Sequence, residues 1–178
     1  MWVFTFAVVV AVSFTVTFGR DCTEIKDYYW RDYTPKWIPH DAIKGAEDRY
    51  IGQIYYMEKI LPACINKEEA IAEWLGKRVI TKQIKILCSP VPDKFYWENV
   101  NYNTTEDGST AYLEKAVEGG YQDNFVVYIG RAYHEGEWKI GKVLPKHIPT
   151  GGLQVWDKAG QCAIITEFEI LKYISFCQ

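Results

Sequence analysis

The stretch from Tyr128 to Val143 holds the densest set of chemically capable side chains in the chain: Arg131, Tyr133, His134, Glu135, Glu137 and Lys142. A histidine followed closely by two glutamates has the composition of a general acid/base pair. The glycines at 130, 136 and 141 argue against that use. They set His134-Glu135-Gly136 in an exposed turn between two strand-like runs, Phe125 to Ile129 and Trp138 to Leu144. Catalysis also needs an activated nucleophile, a carboxylate pair in a cleft or a metal, and no residues stand at such spacing. The chain reads as a binding protein rather than an enzyme, working without a cofactor.

Metal chemistry finds no support either. His40, His134 and His147 are far apart, and no CxxC or Cys/His spacing occurs. The 5 cysteines are Cys22, Cys64, Cys88, Cys162 and Cys177. All five are disulfide candidates if the chain is secreted, and the odd number leaves one thiol free or paired with another chain.

Secretion is the expectation from residues 1–19. Trp2 to Gly19 carry no charge, Val3 to Phe18 are largely apolar, and Thr17 and Gly19 suit a cut before Arg20. The alternative is a retained anchor, for which the apolar run is short. No later segment is apolar enough to span a membrane, so a secreted, extracellular chain with no stable membrane span is expected. The one sequon, Asn103-Thr104-Thr105, lies in a polar loop and marks Asn103 for a glycan.

The net charge of −3 and pI of about 5.7 offer no general attraction to nucleic acid. Aromatic residues reach 16%, which favours strands and also supplies flat surfaces for sugars or partners.

The elements that must position the reactive stretch are short strands throughout. Runs such as Tyr50–Tyr56, Lys59–Ile65, Gln83–Leu87, Phe95–Glu98, Leu113–Val117 and Thr166–Tyr173 predict an all-β protein. Lys67 to Leu75 has a helical composition, with a polar-flanked strand as the other reading. The same signals occur twice. Tyr50-Ile51-Gly52 matches Tyr128-Ile129-Gly130 at an offset of 78, which carries Cys64 onto Lys142. Tyr28-Tyr29-Trp30 mirrors Phe95-Tyr96-Trp97, Ala42 to Gly45 mirrors Ala116 to Gly119, and Ile84 to Leu87 mirrors Phe168 to Leu171. Four matches in one order indicate duplication. The halves run from 20 to 90 and from 91 to 178, joined at Cys88-Ser-Pro-Val-Pro-Asp93, and form one compact pseudo-symmetric domain of antiparallel strands.

Trp97, Ala116-Val117-Glu118-Gly119-Gly120-Tyr121, Tyr128 to Gly136, Gly141-Lys142-Val143 and Glu167 to Leu171 together resemble the DM-nine repeat, with the first half as a degenerate copy. That resemblance implies an all-β, tandem-repeat protein of the kind found in insects and molluscs. Some members are mannose-preferring lectins linked to innate immunity. Others are parasite-responsive proteins of gut or salivary gland.

In lectin members an acidic residue after the Gly-Gly and the lysine of Gly-Lys-Val grip the sugar. The lysine falls on Lys142. The acidic position falls on Gln122, or on Asp123 if one residue is deleted. A carboxylate and an ammonium suit vicinal hydroxyls. Arg131, Tyr133, His134 and Glu135 complete the expected sugar-binding set, with Tyr133 or Trp138 against the apolar face of the ring. The competing reading of Lys142 and Asp123 is a surface ion pair. In the first repeat Cys64 replaces the lysine, so this copy is expected to have lost ordinary family binding, with Cys64 a disulfide partner. The implied partners are glycans or a glycoprotein, and a homodimer would add avidity. The rival function is a salivary, venom or gut factor that binds a protein and has lost sugar binding.

Overall fold

The computed structural model of the protein describes residues 24–106, 109–148 and 150–177. Strand β1 (Glu24–Ile25) precedes the first repeat, which comprises β2 (Tyr29–Tyr33), β3 (Lys44–Ala46), β4 (Arg49–Tyr56), β5 (Lys59–Ile65), β6 (Ala70–Glu73), β7 (Lys77–Ile80) and β8 (Ile84–Cys88). The second repeat comprises β9 (Phe95–Asn101), β10 (Glu118–Gln122), β11 (Phe125–His134), β12 (Glu137–Leu144), β13 (Gly152–Trp156), β14 (Cys162–Ile165) and β15 (Glu167–Tyr173). A last strand, β16 (Phe176–Cys177), pairs with β1. Two short 3-10 turns are the only helical elements among the described residues.

The duplication is visible in the pairing. In the first repeat β2 pairs with β8, β8 with β4, β4 with β5, β5 with β6 and β6 with β7, all antiparallel. In the second, β9 pairs with β15, β15 with β11, β11 with β12, β12 with β13 and β13 with β14. The register is the same residue for residue. Gly52 faces Ile86 as Gly130 faces Ile170, and Ile51 faces Cys64 as Ile129 faces Lys142. The protein is therefore all-β, and β5 joined to β10 makes the two repeats one continuous 14-stranded sheet.

Each repeat reaches into the other. Gln53 donates to the Gly119 carbonyl at 2.9 Å, and at the equivalent position Arg131 donates to the Gly45 carbonyl. These contacts need bare backbone. A Cβ on Gly45 would stand 2.2 Å from the Ile140 side chain, and one on Gly119 would stand 2.5 Å from Pro62. Nearly every residue of β5 and β12 is buried, because these strands lie where the repeats meet. Strands covered on both faces read as near-continuous apolar runs rather than alternating ones.

The structure decides one open reading in favour of a strand and changes two expectations. Lys67–Leu75 is not helical: Ala70, Ile71 and Ala72 are buried strand residues between β5 and β7, and that pairing overrides helix propensity. The Leu113–Val117 strand is replaced by a 3-10 turn at Ala111–Leu113, and Lys115 takes a left-handed φ of 61° that breaks extension. The run Ala42–Lys44 also reads as a strand from sequence, but only Lys44 belongs to β3, and Ala42 makes an isolated bridge to Cys88.

Candidate functional site

β9 and β15 alternate polar and apolar residues, so one face of the pair is polar and the other joins the core. Asn99 lies opposite Glu169, and Asn101 opposite Glu167, while Val100 and Phe168 between them point inward and are buried. The four polar side chains make a square patch. Asn101 donates to Glu167 at 2.8 Å. Strand β11 runs along the same patch through its pairing with β15, which sets Arg131 opposite Glu169.

Arg131 is the hinge of this site. Its guanidinium carbon lies 4.2 Å from the centroid of the Trp97 ring and 4.7 Å from that of Trp138. Its Nε donates to Glu169 at 2.6 Å. A planar cation between two indoles, with a carboxylate in its plane, is held by cation–π attraction and a charge-assisted bond together. Tyr133 stands 64% exposed beside Trp138, with ring centroids 5.8 Å apart in an edge-on arrangement. Arg131, Tyr133, Trp138 and Glu169 line a cleft of about 730 Å³ together with Asn99, Asn101 and Glu167. Thr104 and Thr105, the second and third residues of the sequon, also line it. Asn103 itself is exposed, as glycan attachment requires.

The residues expected from sequence divide among three places. Arg131 and Tyr133 line the cleft. His134 and Glu135 sit at the β11–β12 turn, 3.7 Å from each other, where Glu135 also binds buried Lys139 at 3.2 Å. Glu135 and Gly136 both have positive φ, the geometry of a tight two-residue hairpin. This pair serves the turn and the anchoring of Lys139, which also donates to the Trp156 carbonyl at 2.6 Å.

Lys142 and Asp123 lie elsewhere. Lys142 is enclosed, with 3% of its side chain exposed, and its ammonium is 2.9 Å from the Glu73 carboxylate, which is itself 2% exposed. It also donates to the Glu73 carbonyl at 3.2 Å and sits 4.9 Å from the Trp74 ring centroid. Asp123 is in the β10–β11 turn and binds Lys59 at 2.7 Å. Lys59 in turn lies 4.7 Å from the same Trp74 ring. The two expected jaws thus approach one indole, Lys142 directly and Asp123 through Lys59, and each is paired with a residue other than its expected partner. Gln122, the last residue of β10, has an enclosed side-chain carbonyl with no hydrogen-bond partner among the described residues. The opposite corner of the pseudo-symmetric body carries the same kind of contact with signs exchanged: Glu137, equivalent to Lys59, binds Arg49 at 3.4 Å.

The disulfide expectation is corrected for three cysteines. Cys64, Cys88 and Cys162 are free thiols. Burial pushes the Cys64 and Cys88 thiols up to about 11. Desolvation and the neighbouring Glu73 do the same for Cys162. Cys64 fills a core position at the repeat junction, so its replacement of the lysine is a packing change. Cys22 lies outside the described residues, as do the signal-like residues 1–19.

Sequence reading missed Asn99, Asn101, Glu167 and Glu169. The signal was present as a period-2 alternation in Trp97-Glu98-Asn99-Val100-Asn101 and in Glu167-Phe168-Glu169-Ile170. Only the strand register brings the two rows together.

A family model described as the DM9 repeat matches residues 41–151 of this chain. Among solved structures, the crystal structure of the nematode sperm cell motility protein MFP2B is similar, with a TM-score of 0.55 and 13% identity over 93% of this chain and 51% of that one. The chain spans about half the length of MFP2B, and likeness at this identity speaks for the fold alone. No curated protein sequence matches the chain.

Proposed function

This chain belongs to the DM9 repeat family, and from that premise we propose that it is a secreted glycan-recognition protein that seats a neutral sugar in the Arg131 cleft. The observation that carries this reading is the cross-strand patch Asn99, Asn101, Glu167 and Glu169 beside the exposed Tyr133 ring. Sugars present hydroxyls that both donate and accept, and they also carry an apolar face of C–H groups. Carboxylates accept from hydroxyls, amides do both, and an aromatic ring covers the apolar face. The cleft volume of about 730 Å³ falls in the range of small-ligand sites.

The charge of the lining selects among sugars. Its ionisable groups are one cation, Arg131, and two carboxylates, Glu167 and Glu169, so the sum is +1 − 2 = −1. Arg131 is already engaged by Glu169. A sulfated or sialylated glycan would bring further negative charge to a site with no free cation in its lining, which disfavours it. A hexose such as mannose carries no such penalty.

Lys142 enters this function as support. Its buried pair with Glu73 ties β12 of the second repeat to β6 of the first, which holds the strand that presents Trp138.

The test is a glycan array probed with the wild-type protein and with Asn99→Ala and Tyr133→Ala, both at exposed positions. The reading expects neutral hexose-terminated glycans to be retained and both substitutions to weaken retention. Retention of sulfated glycans alone, or binding indifferent to both substitutions, would overturn it.

A further inference from the structure

The Arg131 cleft has a structural twin. Residues of the first repeat that occupy the same register positions line a second cleft of about 460 Å³. Gln53 stands where Arg131 does, Ile54 where Ala132 does and Tyr55 where Tyr133 does, because β4 and β11 share their pairing. Across the sheet, Ile60 replaces Trp138, Ile84 replaces Phe168 and Lys85 replaces Glu169. Duplication has kept the backbone and the hollow, and the side chains alone set what each hollow can hold.

The changes remove the cation and one indole and leave the polar groups at the edge. The cation between two indoles becomes an amide that donates to the Gly119 carbonyl. The acidic and amide square becomes Asp32, Lys85 and Gln83 at the rim. Asp32 and Lys85 lie 3.6 Å apart and cancel each other's charge. The apolar side chains left on the cleft face are Trp30, Ile60 and Tyr55, while Ile54 and Ile84 alternate with them and are packed in the core behind. Tyr55 and Ile60 stay 50% and 41% exposed although they are large and apolar. Such exposed apolar surface is a mark of binding rather than of a satisfied core. Ile60 is also directly opposite exposed Tyr121 of β10, so the apolar row continues past the mouth.

We propose that this first-repeat cleft is a second binding site, taking a small uncharged molecule with a flat apolar ring body. A ring matches walls made of Trp30 and Tyr55. The volume admits a bicyclic or slightly larger body. Asp32 and Lys85 at the rim are paired with each other, so the rim carries no net charge to attract a charged ligand. Each chain thus carries two equivalent hollows with opposite preferences, and this site stands whether or not the Arg131 cleft takes sugar.

The probe is N-phenyl-1-naphthylamine, a neutral bicyclic fluorophore, titrated into the full protein and followed by emission. The expected result is saturable binding at one site per chain with enhanced emission. Ile60→Asp and Tyr55→Ala, both at exposed positions, should each weaken it by about tenfold. Asn99→Ala and Tyr133→Ala, in the twin cleft, should leave it unchanged. Circular dichroism and thermal melting of all four variants confirm that folding is kept. Absence of saturable binding overturns the proposal. So does binding that ignores Ile60→Asp and Tyr55→Ala, or that is lost with Tyr133→Ala.

Discussion

Removing one partner of the Lys142–Glu73 pair should unsettle the whole body rather than a binding surface. Both side chains are almost fully enclosed, at 3% and 2% exposure, and their charged atoms are 2.9 Å apart. Lys142→Met would leave the Glu73 carboxylate buried without its cation. Breaking such a pair costs about 3–5 kcal/mol, because the surviving charge keeps its desolvation penalty. For a chain of this size that corresponds to a drop in melting temperature of roughly 6–20 °C. Lys142→Met with Glu73→Leu removes both charges and should recover most of the loss. Guanidinium denaturation of the wild type, both single variants and the double variant measures the coupling directly. A Lys142→Met cost below about 1 kcal/mol would refute the reasoning, as would a double variant whose loss equals the sum of the singles. A cost that appeared only in sugar affinity would restore the lysine to the role its family resemblance assigns.

Two other outcomes follow from the structure, and a third tests the proposed secretion. Iodoacetamide at pH 8 should label Cys64, Cys88 and Cys162 slowly in the native protein and quickly after unfolding, because thiols held near 11 are protonated there; peptide mapping reads this. Asp27 is held below its usual 3.8 by a hydrogen bond from Lys94, and Asp41 by one from Tyr29. A depressed folded value means that the ionised carboxylate favours the fold. Its contribution is complete above the unfolded value and is lost as pH falls through the folded one. Stability should therefore fall below about pH 4, and Asp27→Asn with Asp41→Asn should flatten that fall in denaturant titrations. Expression in a secreting eukaryotic cell should give a mature chain starting at Arg20 with a glycan on Asn103; mass spectrometry of the medium with and without Asn103→Gln checks both.

Much of the fold was legible because strand signals and their duplication are local. Tyr-Ile-Gly recurs at 50 and 128, and the structure repeats its register there. The segment around Ala70 was ambiguous because its small residues suit a helix, and only burial between two strands decides the matter. The candidate site was legible by half. Arg131 and Tyr133 belong to a recognisable motif, whereas Asn99 and Glu167 are ordinary strand residues until β9 and β15 pair. The enclosure of Lys142 was not legible for a related reason. Its fate depends on Glu73, a residue 69 positions away in the other repeat. A long-range partner of that kind leaves no trace in spacing.

The most direct measurement is a calorimetric titration of the best neutral glycan from the array into the wild-type protein, Asn99→Ala and Tyr133→Ala. The account predicts one sugar per chain and affinity weakened by about tenfold or more in each variant, with unchanged melting temperatures. Equal affinity in all three proteins would contradict it.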